Sequence, residues 1–205
     1  LWAVGIGTCA FNMQDIILEP YGAEVLKLGV GATSLLTALT AAGSLLAFGI
    51  AATMLTRGVE AIRLAALGAI AGLPAFAMVI FSGAMDAPNL FRAGAFLIGV
   101  GGGLFSVGTL TMAMSLQQGE DAGMALGAWG AVQATAGGAS VAAGGVIKDA
   151  VGMLATSGWL GESLISPVTG YSFVYHLEMY LLFGVLVAIG PLVRRDALPA
   201  NQQQG

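Results

Sequence analysis

The sequence predicts an all-α polytopic membrane protein with six transmembrane helices, and three observations carry this prediction. Of the 205 residues, 57% are hydrophobic and only 9% are charged, whereas a soluble domain carries about 25% charged residues. The apolar residues fall in continuous runs close to the length of about 20 residues that a helix needs to cross a bilayer. Such runs exclude transmembrane β-strands, which are shorter and alternate between apolar and polar residues.

The predicted helices are separated by breaks that carry proline, glycine or charged residues. The first helix ends before Pro20, and the second ends before Arg57. The third and fourth end at the breaks 86–89 and 117–121. The longest break, 148–170, contains an apolar stretch that is too short to cross a membrane. The six predicted helices span residues 1–18, 31–55, 64–83, 90–116, 123–147 and 171–193.

These helices place residues 1–193 in one transmembrane bundle and leave 194–205 as a polar tail. The first helix begins inside an apolar run, without an initiator methionine or a charged leader. Six helices are half of a twelve-helix transporter, so we expect the chain to be one half of a longer protein. The Arg194-Arg195 pair at the end of the last helix favours cytoplasmic chain ends, and therefore a cytoplasmic tail.

Small residues at four-residue spacing predict close helix packing, because apolar helices gain little from burying apolar surface when lipid is the solvent. The glycine-rich run 99–103 is interpreted as a packing surface or a hinge. It lacks the Gly-Lys-Ser/Thr ending of a phosphate-binding loop and follows no predicted strand. The spaced pairs are Gly68 and Gly72, Gly99 and Gly103, Gly123 and Gly127, and Ala134 and Gly138.

The first predicted helix carries polar side chains at membrane depth, where an ionisable residue costs about 2.5–3.5 kcal/mol on insertion scales. In a continuous helix, Thr8, Asn12, Asp15 and Glu19 form one stripe, while Gln14 points elsewhere. We expect this stripe to face the bundle interior or a water-filled cavity. For Glu19, the alternative is that it only marks the end of the helix.

The last predicted helix has polar groups on two faces. Tyr171, Tyr175 and Glu178 share one face, and His176 and Tyr180 share another. The tyrosines fit an interfacial aromatic belt that anchors the helix end. For His176, the alternative to such anchoring is metal ligation, including the magnesium of a chlorin.

Gln133 is a polar side chain in mid-helix, for which interhelical hydrogen bonding is the first interpretation and ligand contact the second.

The remaining features exclude several classes of protein. The chain has one cysteine and one histidine, which excludes a disulfide framework, a cysteine-based metal site and a zinc site that needs a second histidine. No catalytic constellation or Walker motif is present, so we predict that the protein is not an enzyme. A net charge of −4 argues against a nucleic-acid partner.

Four stretches together resemble the PucC-like, or bacteriochlorophyll delivery, family of the major facilitator superfamily. The resemblance covers nearly the whole chain in order and implies the C-terminal six-helix half of a major-facilitator-type bundle. In the family pattern, the matching polar residues are Asn12, Gln14, Asp15, Glu19, Gln133, His176 and Glu178. The four stretches are 11–22 (FNMQDIILEPYG), 91–94 (FRAG), 126–135 (LGAWGAVQAT) and 170–178 (GYSFVYHLE).

The resemblance implies a multi-pass protein of the cytoplasmic or intracytoplasmic membrane of phototrophic bacteria. Relatives assist the assembly of light-harvesting complexes, with bacteriochlorophyll delivery as the usual proposal. Expected partners are therefore the lipid bilayer, antenna polypeptides, bacteriochlorophyll as cargo rather than tightly bound cofactor, and the N-terminal half of the same protein.

Proton-coupled secondary transport of a small solute is the alternative function, with Asp15 or Glu19 as the proton carrier. A stoichiometric antenna subunit is a further alternative. The loop 57–63 departs from the charged loop of small-solute transporters in this superfamily, which weakens the case for transport. It keeps only Arg57, Glu60 and Arg63.

Overall fold

The computed structural model describes residues 1–115, 121–166 and 168–196, which form helices and turns with no strand in those ranges. The longer helices are joined by connections of a few residues. In chain order, the elements are α1 (Trp2–Asn12), a 3-10 turn (Met13–Ile16), α2 (Leu18–Glu24), α3 (Val30–Thr56), α4 (Ala61–Ala84), α5 (Pro88–Ser115), α6 (Asp121–Thr156), a short 3-10 turn (Glu162–Leu164) and α7 (Val168–Asp196).

The predicted fold class is confirmed: the chain is an all-α, multi-pass membrane protein. Within the described ranges, the five helices α3 to α7 are long and apolar enough to cross a membrane. The helices α3, α4 and α5 begin and end within a few residues of the second, third and fourth predicted helices. The break predicted at 117–121 lies, except for Asp121, outside the described residues.

The first predicted helix is wrong as a continuous helix. In the structure, α1 ends at Asn12, the chain passes through the 3-10 turn, and a helix resumes as α2. We call residues 2–24 the broken segment. Pro20 explains the break, because proline has no N–H to donate to the carbonyl of Ile16 and its ring clashes with that carbonyl in a regular helix. Proline is tolerated in the first turn of α2, where such donors have no helical partner.

The boundaries predicted for the last two helices also need correction. The helix α6 does not stop at Ile147 but continues to Thr156, beyond which Gly158 and Gly161 adopt left-handed backbone conformations that end it. The helix α7 runs to Asp196, so the first three residues of the predicted tail continue the helix. Residues 197–205 of that tail lie outside the described ranges.

The helix α5 packs between α3 and α4, and its glycines make both contacts possible. A Cβ atom on Gly99 would overlap the backbone carbonyl of Thr40 on α3. A Cβ atom on Gly101 would lie 2.9 Å from the carbonyl oxygen of Gly68 on α4. The predicted packing role of the glycine-rich run is therefore confirmed.

The small residues of α6 behave differently from those of α5. Cβ atoms added at Gly123, Gly127 and Gly138 would meet nothing within 4 Å among the described residues. The close packing predicted for these positions is therefore not made within this part of the chain. A face of α6 stays open to lipid or to another helix.

An aromatic core joins the broken segment to α4, α5 and α7. The Phe11 ring lies 6.3 Å from that of Phe76 and 5.8 Å from that of Phe105, measured between ring centroids. At the other end, the Tyr21 ring meets that of Tyr175 edge-on at 5.4 Å. This core holds the 3-10 turn against the inner face of α7.

Candidate functional site

The break in the first segment creates a polar cleft. The 3-10 turn places Asn12, Gln14 and Asp15 beside one another, facing α3 and α5 across a cleft of about 240 Å³. Irregular backbone at membrane depth is tolerated where it is buried in protein or lines a cavity. The cleft also receives polar side chains from the two facing helices: Thr40, Ser44 and Ser106.

Side-chain hydrogen bonds fix the geometry of the 3-10 turn at Met13–Ile16. The Asn12 amide nitrogen donates to the carbonyl oxygen of Thr8 at 2.7 Å. The Gln14 amide nitrogen donates to the carbonyl oxygen of Phe11 at 3.3 Å and to Asp15 Oδ1 at 2.6 Å. The Gln14 side chain is buried, whereas Asp15 is exposed to the cleft.

The single stripe predicted on the first helix is wrong because the helix is not continuous, but the expectation that its side chains face the bundle interior or a cavity is confirmed for Thr8, Asn12 and Asp15. Thr8 is 3% exposed and faces α6, whereas Asp15 faces the cleft on the opposite side of the break. Glu19 lies on α2, where its Oε1 accepts a hydrogen bond of 2.6 Å from the hydroxyl of Thr37. The structure brings Asn12, Gln14 and Asp15 together and separates Glu19 from them.

Sequence reasoning missed the two hydroxyl residues that α3 contributes to the cleft. The Thr40 hydroxyl donates to the carbonyl oxygens of Leu36 and Ala95, and that of Ser44 donates to those of Thr40 and Gly99. Their four-residue spacing, which places both on one helix face, was the available signal.

Gln133 makes an interhelical hydrogen bond. Its Oε1 accepts a hydrogen bond of 2.5 Å from the hydroxyl of Thr8, which ties α6 to α1. The cleft described above is lined by the broken segment, α3 and α5, so Gln133 does not belong to it.

The inner face of α7 carries a buried carboxyl group. Glu178 is fully buried, and neither of its carboxylate oxygens has a hydrogen-bond partner among the described residues. Tyr175 is also fully buried, and Tyr171 is 1% exposed with its hydroxyl 2.8 Å from Glu24 Oε2. These two tyrosines face the core, so the predicted interfacial belt is wrong for them and fits only Tyr180, which is 69% exposed.

The outer face of α7 carries His176. Its Nδ1 lies 2.6 Å from the carbonyl oxygen of Ser172. A carbonyl oxygen only accepts, so Nδ1 carries a proton, and in the neutral imidazole Nε2 then keeps a free lone pair. The imidazole lines a hollow of about 440 Å³ that α6, the connection after it and α7 form together. The apolar and aromatic side chains of this hollow are Val151, Leu160, Leu164, Phe173, Leu177 and Tyr180.

Metal-ligating side chains do not cluster in the described ranges: no group of three or more His, Cys, Asp or Glu residues comes together there. His176 and Glu178 are two residues apart, which places them on opposite faces of α7. The structure therefore separates an inner polar region, made of the cleft and Glu178, from an outer site at His176.

Comparison with known proteins places the chain in a family. A family model described as PUCC protein matches residues 1–197. A protein of Rhodobacter capsulatus named "Uncharacterized protein in puhA-bchM intergenic region" is 48% identical over all of this chain and 43% of its own length. "Protein PucC" of Cereibacter sphaeroides is 44% identical over 98% of this chain and 43% of its own length. No solved structure matches.

The sequence similarity extends from one end of the chain to the other, although the chain spans less than half the length of these curated relatives. "Protein PucC" of Rhodobacter capsulatus is 41% identical over 95% of this chain. Identity at this level over so much of the chain, together with the family match, confirms the predicted family. The chain belongs to the PUCC protein family.

Proposed function

We propose that this chain belongs to a membrane protein that assists the assembly of light-harvesting antenna complexes and hands on bacteriochlorophyll. The membrane is the cytoplasmic or intracytoplasmic membrane of a phototrophic bacterium. Membership of the PUCC protein family supports this proposal. The multi-pass helical fold supports it as well, because it offers an apolar pigment a route that avoids water.

The observation that carries the pigment-handling proposal is the geometry of His176. The Nδ1–H group donates to the Ser172 carbonyl oxygen, which orients the ring and leaves Nε2 to ligate the magnesium of a chlorin. Phe173 and Tyr180, which are 50% and 69% exposed, supply aromatic surface beside the imidazole. One polar ligand in an apolar hollow fits a large apolar pigment with a single coordinating metal.

The open face of α6 supports single-span antenna polypeptides as partners. Gly123, Gly127 and Gly138 expose small-residue surface with no packed neighbour in the described ranges. Surfaces of this kind let two membrane helices approach closely.

Absorbance spectroscopy of the full-length protein tests pigment handling. The protein is purified in mild detergent from the phototroph, and its spectrum is compared with those of His176→Leu and Tyr180→Phe variants. We expect a chlorin band in the wild type and in Tyr180→Phe, and its loss in His176→Leu. A wild type without a chlorin band contradicts pigment binding, and a band that His176→Leu leaves unchanged contradicts the assigned ligand.

Deletion of the gene tests the assembly role independently. We expect lower antenna absorbance in membranes of the deletion strain and recovery when the gene is restored. Unchanged antenna levels would remove the proposal, whatever pigment the purified protein carries.

The polar cleft favours proton-coupled transport of a small solute as the second candidate function. Its volume of about 240 Å³ and its lining of Asn12, Gln14 and Asp15 suit a small polar molecule better than a pigment. Under this alternative, an Asp15→Asn substitution abolishes proton-driven uptake into vesicles. An assembly factor has no such uptake to lose.

A further inference from the structure

Three buried side chains in or beside the 3-10 turn of the broken segment have polar atoms without hydrogen-bond partners in the part of the chain that the structure describes. They are Gln14 at 1% exposure and Tyr175 and Glu178 at 0%. The atoms concerned are Gln14 Oε1, the Tyr175 hydroxyl and both carboxylate oxygens of Glu178. Buried polar groups are nearly always hydrogen-bonded, so four such atoms in one place need an explanation.

The orientation of the Gln14 amide is fixed by its neighbours. Its nitrogen donates to the carbonyl oxygen of Phe11 and to the carboxylate of Asp15. Exchanging the amide nitrogen and oxygen would set three acceptors against one another. Gln14 Oε1 is therefore an acceptor that points away from Asp15 and has no donor among the described residues.

The Glu178 carboxyl group lies close to the backbone N–H of Gln14 and near the carboxylate of Asp15. The basic side chains of the helices packed on α7 are engaged elsewhere, since Arg63 pairs with Glu60 at 2.7 Å and Lys148 pairs with Asp149 at 2.7 Å. An ionised carboxylate at this position would be dry, without a cationic partner among the described residues and close to a second negative charge, which costs several kcal/mol. The titratable groups around Glu178 and its neighbour Tyr175 are Asp15 on the 3-10 turn, Tyr21 on α2 and Tyr171 on α7.

We propose that Glu178 is a proton-binding site that couples α7 to the broken segment. In the acid form, its O–H group donates to Gln14 Oε1, and its carbonyl oxygen accepts from the Tyr175 hydroxyl. One bound proton thus satisfies Gln14, Tyr175 and Glu178 together. A metal cation fits less well, since it would need more oxygen ligands than this dry site offers.

Proton release has a defined route and a defined consequence. The proton leaves the Glu178 oxygen, passes to the Asp15 carboxylate beside it and reaches water in the polar cleft, so that Glu178 becomes a carboxylate and no electrons move. The bare carboxylate then faces Gln14 Oε1 and Asp15 and repels both. The 3-10 turn separates from α7, and the proton therefore controls whether the broken segment stays closed on that helix.

Infrared spectroscopy of the full-length protein in lipid nanodiscs tests the site. A protonated carboxylic acid has a C=O stretching band distinct from that of a carboxylate, and it shifts in D₂O. We compare the wild type with Glu178→Gln, which keeps a neutral donor of similar shape. Glu19→Gln is the matched control, because Glu19 already accepts a hydrogen bond from Thr37.

We expect the protonated-acid band at neutral pH to decrease in Glu178→Gln and to stay unchanged in Glu19→Gln. Two results would overturn the proposal. One is a protonated-acid band of the same intensity in Glu178→Gln and in the wild type, and the other is a band that appears only when sodium is removed from the buffer. Hydrogen exchange of the wild type gives a second measurement that needs no variant. Residues 13–17 exchange faster once the band disappears at high pH, and exchange that is independent of the band overturns the coupling.

Discussion

Replacing Gly99 with alanine tests whether α3 and α5 are held together by direct backbone contact. The new Cβ atom would overlap the carbonyl oxygen of Thr40, a main-chain atom that cannot rotate away as a side chain can. Relieving the overlap requires α5 to move away from α3. That movement also lengthens the hydrogen bond from the Ser44 hydroxyl to the Gly99 carbonyl oxygen, which is 3.1 Å in the native structure.

The size of the effect follows from a matched control in the same run of glycines. A Cβ atom on Gly102 would lie 3.5 Å from Phe11 Cδ1, an ordinary contact. Both substitutions gain about 1 kcal/mol of helix propensity, which cancels in the comparison. Overpacking at Gly99 costs about 1–3 kcal/mol and the weakened hydrogen bond about 0.6 kcal/mol. The free energy of unfolding of Gly99→Ala should therefore fall about 2–4 kcal/mol below that of Gly102→Ala.

The assay is an SDS unfolding titration of the full-length protein in mild detergent, followed by circular dichroism. The two variants are measured side by side with the wild type. Equal stability of Gly99→Ala and Gly102→Ala would refute the reasoning, because it would mean that the two helices are not in contact at this glycine.

Two further substitutions test polar contacts of the broken segment by the same titration. Thr8→Val removes the hydrogen bond to Gln133 and should lower the free energy of unfolding by about 0.6 kcal/mol, with little further loss when Gln133→Leu is added. Tyr171→Phe removes the hydrogen bond of 2.8 Å to Glu24 and should cost about 1 kcal/mol, whereas Tyr180→Phe at an exposed position should cost almost nothing.

For each of these substitutions, one outcome of the unfolding titration would contradict the structure. Fully additive losses for the Thr8 and Gln133 substitutions would mean that the two side chains do not interact. Equal losses for Tyr171→Phe and Tyr180→Phe would mean that Tyr171 has no partner on α2.

The helical membrane fold could be predicted from the sequence because lipid imposes strict demands on composition and length. A helix that crosses hydrocarbon must satisfy its own backbone and present apolar side chains over about 20 residues, and both demands are local. The ends of α3, α4 and α5 therefore agreed closely with prediction. The opposite placement of His176 and Glu178 on α7 also followed from helical periodicity alone.

The broken segment could not be predicted as readily. The effect of Pro20 on its own neighbourhood is local, but whether the chain bends, kinks or forms a 3-10 turn depends on what packs around it. The aromatic contacts of Phe11 and Tyr21 with other helices hold the break in place. Once the helix breaks, the predicted stripe of polar residues no longer exists, and Asp15 and Thr8 face different neighbours.

By itself, then, the sequence determined the all-helical membrane architecture, the order of its spans and the identity of the rare polar residues within them. Only the tertiary structure decided which of those residues have partners. Hydrophobicity and helix period depend on a residue and its near neighbours in the chain. A hydrogen bond between Thr8 and Gln133, or the burial of Glu178 without a side-chain partner among the described residues, depends on atoms brought together from distant positions.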